Sequence, residues 1–165
     1  MVKGFCEKGH ALYCGRTARG IIPNIQCLLQ KEMAAGSTIL YVNDQHASDD
    51  EEFNLFPTHC VAGSDEIEVI PELSEYPGEI IPKTRYSAFY ATALDEKLAQ
   101  LKPDKLIICG VCTDICIMFT VADAMYRGYD IEIAVDCVTS FDEPAHQFAL
   151  KHMQKLFGVK LVTLE

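Results

Sequence analysis

No apolar run in the chain reaches the roughly 18 residues that a membrane-spanning helix needs. The opening Met-Val-Lys-Gly-Phe-Cys lacks the apolar core of a secretory signal, so no export is expected. Basic residues are few: 14 Lys and Arg stand against 24 Asp and Glu, a formal net charge of −10. That balance argues against nucleic acid or an anionic membrane as partner. Repeats, low-complexity segments and a second-domain boundary are also lacking, so residues 1–165 read as one domain. The eight cysteines are Cys6, Cys14, Cys27, Cys60, Cys109, Cys112, Cys116 and Cys137. Several sit inside apolar runs, and a domain of this size does not need staples. Reduced thiols in the cytoplasm are therefore expected rather than a disulfide framework. Cys112 and Cys116 also lack zinc-ribbon spacing and a second cysteine pair.

What is present is a globular balance, with 49% hydrophobic and 23% charged residues. Residues 1–18 read as loop. A helix is expected over 21–35, where Ile22, Ile25, Leu28, Leu29 and Met33 form a stripe, Pro23 fits the first turn and Gly36 ends it. A β-branched strand follows at 37–43. Residues 44–82 are polar and rich in Pro, Gly and acids, with at most a short strand near 67–70. Irregular stretches of that length inside a domain are usually functional. Helices are expected at 93–101, 113–127 and 143–157, and strands at 106–109, 131–135 and 160–162. Such alternation means a three-layer α/β fold: a doubly wound, mostly parallel sheet with helices on both faces. Ligands of such sheets bind at the carboxyl ends of the strands, here near Asn43-Asp44 and Gly110-Val111.

Three stretches carry candidate chemistry. In Gly110-Val-Cys-Thr-Asp-Ile-Cys116 the chain leaves a strand and enters a helix with a thiol in its first turn. The partial positive charge of a helix N-terminus favours thiolate, so Cys116 is a candidate nucleophile. Taken alone, a small buried thiol explains the stretch as well. A redox pair at Cys112 and Cys116 is set aside, since one falls on the turn and the other in the helix. Asp44-Gln-His46, Glu52 and His59 lie in one stretch beyond a strand end. They suit zinc, manganese or iron, and a polar surface loop fits them equally. Lys83, in Lys-Thr-Arg-Tyr-Ser-Ala-Phe89, would lower the pKa of an adjacent thiol, or simply be solvated.

Together these motifs resemble the isochorismatase-like cysteine hydrolases over essentially the whole chain. The loop of Asp44, His46, Glu52 and Phe56-Pro-Thr-His59 resembles that of the nicotinamidase (pyrazinamidase) branch. The resemblance implies one divalent ion held by Asp44, His46, Glu52 and His59. It implies Cys116 as nucleophile and Lys83 beside it. It also implies a cis Val111–Cys112 bond that brings the amides of Cys112 and Cys116 together as an oxyanion hole. Phe5 and Phe56 match positions that flank the substrate ring. The implied reaction converts nicotinamide and water to nicotinate and ammonia through a thioester, a step of pyridine nucleotide salvage. The implied partners are a small amide and further copies of the chain, as a dimer or tetramer.

One departure follows from the same resemblance. The family's proton-transferring aspartate ends a first, central strand, and would stand one residue before Met1. Strands at 38–42 and 106–109 would then lack the neighbour between them, and activity would be impaired. The alternatives are another hydrolase of the fold, acting on a ureido or carbamoyl amide or an enol ether, or a catalytically silent binding protein.

Overall fold

The computed structural model describes residues 1–164. Two short helices, α1 (Lys3–Cys6) and α2 (Gly15–Gly20), stand where loop is expected. They are too short to show helical periodicity. Helix α3 (Ile22–Ala34) has Pro23 in its first turn, where a missing N–H costs nothing. Its stripe of Ile22, Ile25, Leu28 and Leu29 is buried. Strand β1 (Leu40–Asp44) follows.

The long irregular stretch holds 3-10 turns at Glu51–Asn54 and Asp65–Ile67, and helix α4 (Pro71–Ser74). In place of a strand at 67–70 there is one antiparallel bridge, Val2 with Val69. The stretch ends in an unexpected strand, β2 (Glu79–Lys83), parallel to β1 with Asp44 opposite Lys83. Pro82 is tolerated because β2 is an edge strand.

Helix α5 (Leu94–Leu101) leads to strand β3 (Leu106–Val111). Gly110 has φ of 120°, a conformation side chains disfavour. Beyond it Thr113–Ile117 form a π-helical turn that opens α6 (Met118–Tyr126). Strand β4 (Ile131–Thr139) is four residues longer than the expected 131–135. Ile108 pairs with Ile133 but Gly110 with Val138, so β4 bulges between them. Helix α7 (Glu143–Phe157) is capped by Asp142, whose carboxylate accepts from the Ala145 amide at 2.9 Å. Gly158, at φ of 70°, ends it. Strand β5 (Lys160–Val162) completes the chain order.

Successive residues of β4 point to opposite helix layers. Ile133 joins one cluster with Leu98 of α5, Val121 and Ala124 of α6, and Ala149 and Met153 of α7. Ala134 joins another with Ile25 and Leu29 of α3 and Leu73 of α4. Helices thus cover both faces of parallel strands, the three-layer fold expected. The strands form two sheets, β1–β2 and β3–β4–β5. Among the described residues no strand lies between β1 and β3. A cavity of about 640 Å³ occupies that place.

Candidate active site and metal centre

Three strand ends build the site. Asp44 ends β1, Lys83 ends β2, and Cys116 follows the turn after β3. The pairing of Asp44 opposite Lys83 puts their side chains together. The buried Nζ of Lys83 donates to the Asp44 carboxylate, to the Arg85 carbonyl at 3.0 Å, and to the Cys116 sulfur at 3.5 Å. Burial works to lower the lysine pKa, but Cys116 and Asp44 hold it above its ordinary value.

The thiol departs from expectation. Burial, and next the negative charge of Asp44, push the Cys116 pKa up to about 12. Lys83 pulls the other way and is outweighed. Burial and the Asp44 carboxylate thus oppose the thiolate that the helix terminus and Lys83 favour. The helix-terminus argument omitted desolvation and the neighbouring carboxylate.

The turn itself is held from behind. Thr113, fully buried, hydrogen-bonds His146 Nδ1 at 2.8 Å. The amides of Ile115 and Ile117 both donate to the Cys112 carbonyl at 3.2 Å. The Val111–Cys112 peptide is cis. Cys112 turns its thiol away from Cys116, to 3.5 Å from Cys14 Sγ. Cys109 and Cys112 form a Cys-x-x-Cys run by number, but Cys109 packs in the α3–α4 cluster and Cys112 with Cys14 and Ala18. All eight cysteines are free.

Beside this group, Asp44, His46 and His59 each offer a ligand atom within 4.8 Å of the others, and all three are buried. His46 is 1% exposed, yet its Nε2 has no hydrogen-bond partner among the described residues. Its other nitrogen, Nδ1, is held by Asp50 Oδ2 at 3.1 Å. His59 likewise uses Nδ1 on the Pro57 carbonyl at 2.8 Å, leaving Nε2 toward the group. Glu52 lies at the margin, with Oε1 3.9 Å from His59 Nε2. Two oriented imidazoles and a carboxylate, with one buried nitrogen unpartnered, fit a divalent transition metal or zinc.

Asp50 and Arg85 were not singled out from the sequence. Burial disfavours charge on Asp50, but the Glu52 amide, His46 and Arg85 bring its pKa down to about 2. The signal was present, since Asp50 stands four residues after His46 in an acidic run. Phe5 and Phe56 both line a small cavity with Cys116, Asp44, Glu52 and His59. Tyr86 and Phe141 line it too, unforeseen. Tyr86 packs edge-on to Phe56, with centroids 6.4 Å apart. Every candidate residue named from the sequence thus falls within this one region.

The chain is similar to known proteins over its whole length. The model of the isochorismatase domain matches residues 1–165. A Bacillus subtilis protein described as the uncharacterized isochorismatase family protein PncA is 32% identical over 168 residues, covering 95% of this chain and 92% of its own. The crystal structure of the nicotinamidase/pyrazinamidase PncA of the same organism has a TM-score of 0.91 at 33% identity, over 98% of this chain and 94% of that one. The pyrazinamidase of Pyrococcus horikoshii in complex with zinc has a TM-score of 0.90 at 28% identity, over 99% and 95%.

Proposed function

The chain belongs to the isochorismatase family of hydrolases, and on that premise we propose that it is a nicotinamidase-type amidohydrolase. It converts nicotinamide and water to nicotinate and ammonia. The observation that carries this reading is Cys116 Sγ 3.5 Å from Lys83 Nζ, in one cavity with Phe5, Phe56 and the imidazole of His59.

In this reading Cys116 attacks the carboxamide carbon, and its sulfur forms a thioester as the C–N bond breaks. Attack requires loss of the thiol proton, because burial and Asp44 hold the thiol neutral, and that proton passes to the amide nitrogen, which leaves as ammonia. Lys83, fixed by Asp44 and the Arg85 carbonyl, stabilises the sulfur as it becomes anionic. The amides of Cys112 and Cys116, beside the cis peptide, take the carbonyl oxygen as oxyanion donors. Phe5 and Phe56 hold the ring between apolar walls. Asp44, His46, His59 and Glu52 would hold a divalent ion, zinc, manganese or iron, which supplies a Lewis acid for a ring nitrogen or a water. Water then cleaves the thioester, restoring the thiol and releasing nicotinate.

Proton transfer limits the rate. Among the described residues the carboxylate bonded to Lys83 is Asp44, which is also committed to the metal group. We infer slow turnover by residues 1–165, since general acid–base help is worth about 10²–10⁴-fold. Exposed Tyr126, Phe148 and Leu156 support a homo-oligomer, and eight free thiols support a reducing, cytoplasmic setting.

The test is ammonia release from nicotinamide by the zinc-loaded protein, beside Cys116→Ala and a panel of ureido and carbamoyl amides. Release from nicotinamide above the Cys116→Ala background supports the reading. Release from another amide alone overturns the substrate, and no difference between the two proteins overturns the mechanism.

A further inference from the structure

Cys14 and Cys112 bring their sulfurs to 3.5 Å although they stand far apart in the chain. Both thiols are buried and free, and the amide chemistry uses neither sulfur. No other two cysteines hydrogen-bond through sulfur among the described residues. The sulfurs of a disulfide lie about 2.0 Å apart, so closing this pair needs an approach of about 1.5 Å.

One neighbour of Cys112 is suited to its anion. Contact with Cys14, and next burial, raise the Cys112 pKa, whereas the Ser140 hydroxyl lowers it. Ser140 Oγ is buried without a hydrogen-bond partner among the described residues. It is therefore free to donate to the sulfur when the proton leaves. Both thiols also line the small cavity that holds Cys116, with the exposed Phe141 at its rim. At about 50 Å³ that cavity admits a molecule little larger than water. Hydrogen peroxide is of that size and uncharged.

The two thiols belong to different walls of the cavity. The Cys14 amide donates to the Phe5 carbonyl at 2.8 Å, so Cys14 is tied to the segment that carries the Phe5 ring. The Cys14 carbonyl accepts from the Thr17 hydroxyl at 3.1 Å, which anchors it to α2. Cys112 opens the turn that carries Cys116. A bond between the sulfurs draws the Phe5 wall toward that turn.

We propose that Cys14 and Cys112 are a dithiol that hydrogen peroxide closes to a disulfide, and that closure narrows the way to Cys116. The Cys112 thiolate attacks one peroxide oxygen. An S–O bond forms, the O–O bond breaks, and hydroxide leaves to take up the thiol's proton as water. The Cys14 sulfur then attacks the sulfenic sulfur. The S–S bond forms, the S–O bond breaks, and the hydroxyl leaves with the Cys14 proton as a second water. The two sulfurs lose two electrons while one peroxide becomes two waters. A thiol reductant reverses the closure by exchange.

The first arm of the test uses Cys116→Ala, so that Cys116 does not compete for peroxide. The reduced protein is treated with hydrogen peroxide, digested and mapped by mass spectrometry. The expected product is a pair of peptides joined through Cys14 and Cys112, two hydrogens lighter than the thiols and separated by dithiothreitol. Both cysteines remaining thiols, or oxidised singly without a link, overturns the proposal. The second arm isolates the linked form of the unsubstituted protein and times alkylation of Cys116 by iodoacetamide at pH 9. Linkage is expected to slow it at least about tenfold, and dithiothreitol to restore it. Equal rates in the linked and reduced forms overturn the closure. Cys14→Ser, treated alike, should keep the rate of its own reduced form, and an equal slowing there assigns the effect to another thiol and overturns the closure too. If Cys14→Ser does not fold, the linked and reduced forms of the unsubstituted protein decide the matter between them. Neither arm needs turnover, so both outcomes are independent of the amidohydrolase reading.

Discussion

The Nζ of Lys83 lies 3.5 Å from the Sγ of Cys116 and is bound on its other side by the carboxylate of Asp44. One buried ammonium therefore joins the thiol to the candidate metal-binding group. Lys83→Met should leave the Asp44 charge buried without its partner, at a cost of about 3–5 kcal/mol in urea unfolding. Activity on nicotinamide should fall at least about a hundredfold. A stable Lys83→Met protein of undiminished activity would show that the pair serves neither purpose.

The pKa of about 12 at Cys116 gives a pH dependence of definite sign. The thiolate fraction is small at neutral pH, rises with pH and reaches one half only where the pH equals that value. Iodoacetamide should modify Cys116 more slowly at pH 7 than the exposed Cys27, with a rate rising through pH 9. Asp44→Asn removes a charge that raises this pKa, and should speed modification at pH 7. Faster alkylation of Cys116 than of Cys27 in the unsubstituted protein would contradict the electrostatics described.

Several buried thiols extend the same argument to stability. Burial raises Cys6, Cys60 and Cys109 above the ordinary value of 9.0, and takes Cys137 to about 12. Above pH 9 the unfolded chain releases thiol protons that the folded chain keeps. The unfolded state then binds fewer protons, so unfolding free energy must fall as pH rises from 9 toward 12. Denaturant melts across that window check this, and Cys137→Ala should flatten the slope. A stability independent of pH there would mean that these thiols are not shielded.

Much of this was legible from residue patterns, and the exceptions have physical causes. The stripe of α3 and the apolar run of β3 follow from burial of one face and of a whole strand. β2 was hidden because Glu79–Lys83 carries a proline, which marks an edge strand rather than excluding one. The second half of β4 was hidden by its bulge, which breaks the pairing register. In the site, Cys116, Lys83 and the Asp44–His59 group were each open to an ordinary reading alone, and the family resemblance of their motifs joined them. Asp50 did not stand out, since an acid in an acidic loop looks solvated until its contacts with His46 and Arg85 are seen. The thiol's protonation state required knowledge of burial, which spacing along the chain does not contain.

Asp50 supplies a prediction for the metal. Its carboxylate holds Nδ1 of His46 and so points Nε2 into the ligand group. Asp50→Ala should weaken zinc binding by about 10–100-fold, measured by competition with a chromogenic chelator. His46→Ala should weaken it further. Unchanged affinity in Asp50→Ala would show that packing against Phe53 alone orients the ring.

The central claim is that Cys116 becomes acylated by a nicotinoyl group. Zinc-loaded protein is mixed with nicotinamide, quenched in acid within the first turnover, digested and mapped by mass spectrometry. The account predicts a nicotinoyl thioester on the peptide containing Cys116, absent without nicotinamide and absent in Cys116→Ala. Ammonia release by Cys116→Ala at the rate of the unsubstituted protein, with no adduct on either, would contradict it.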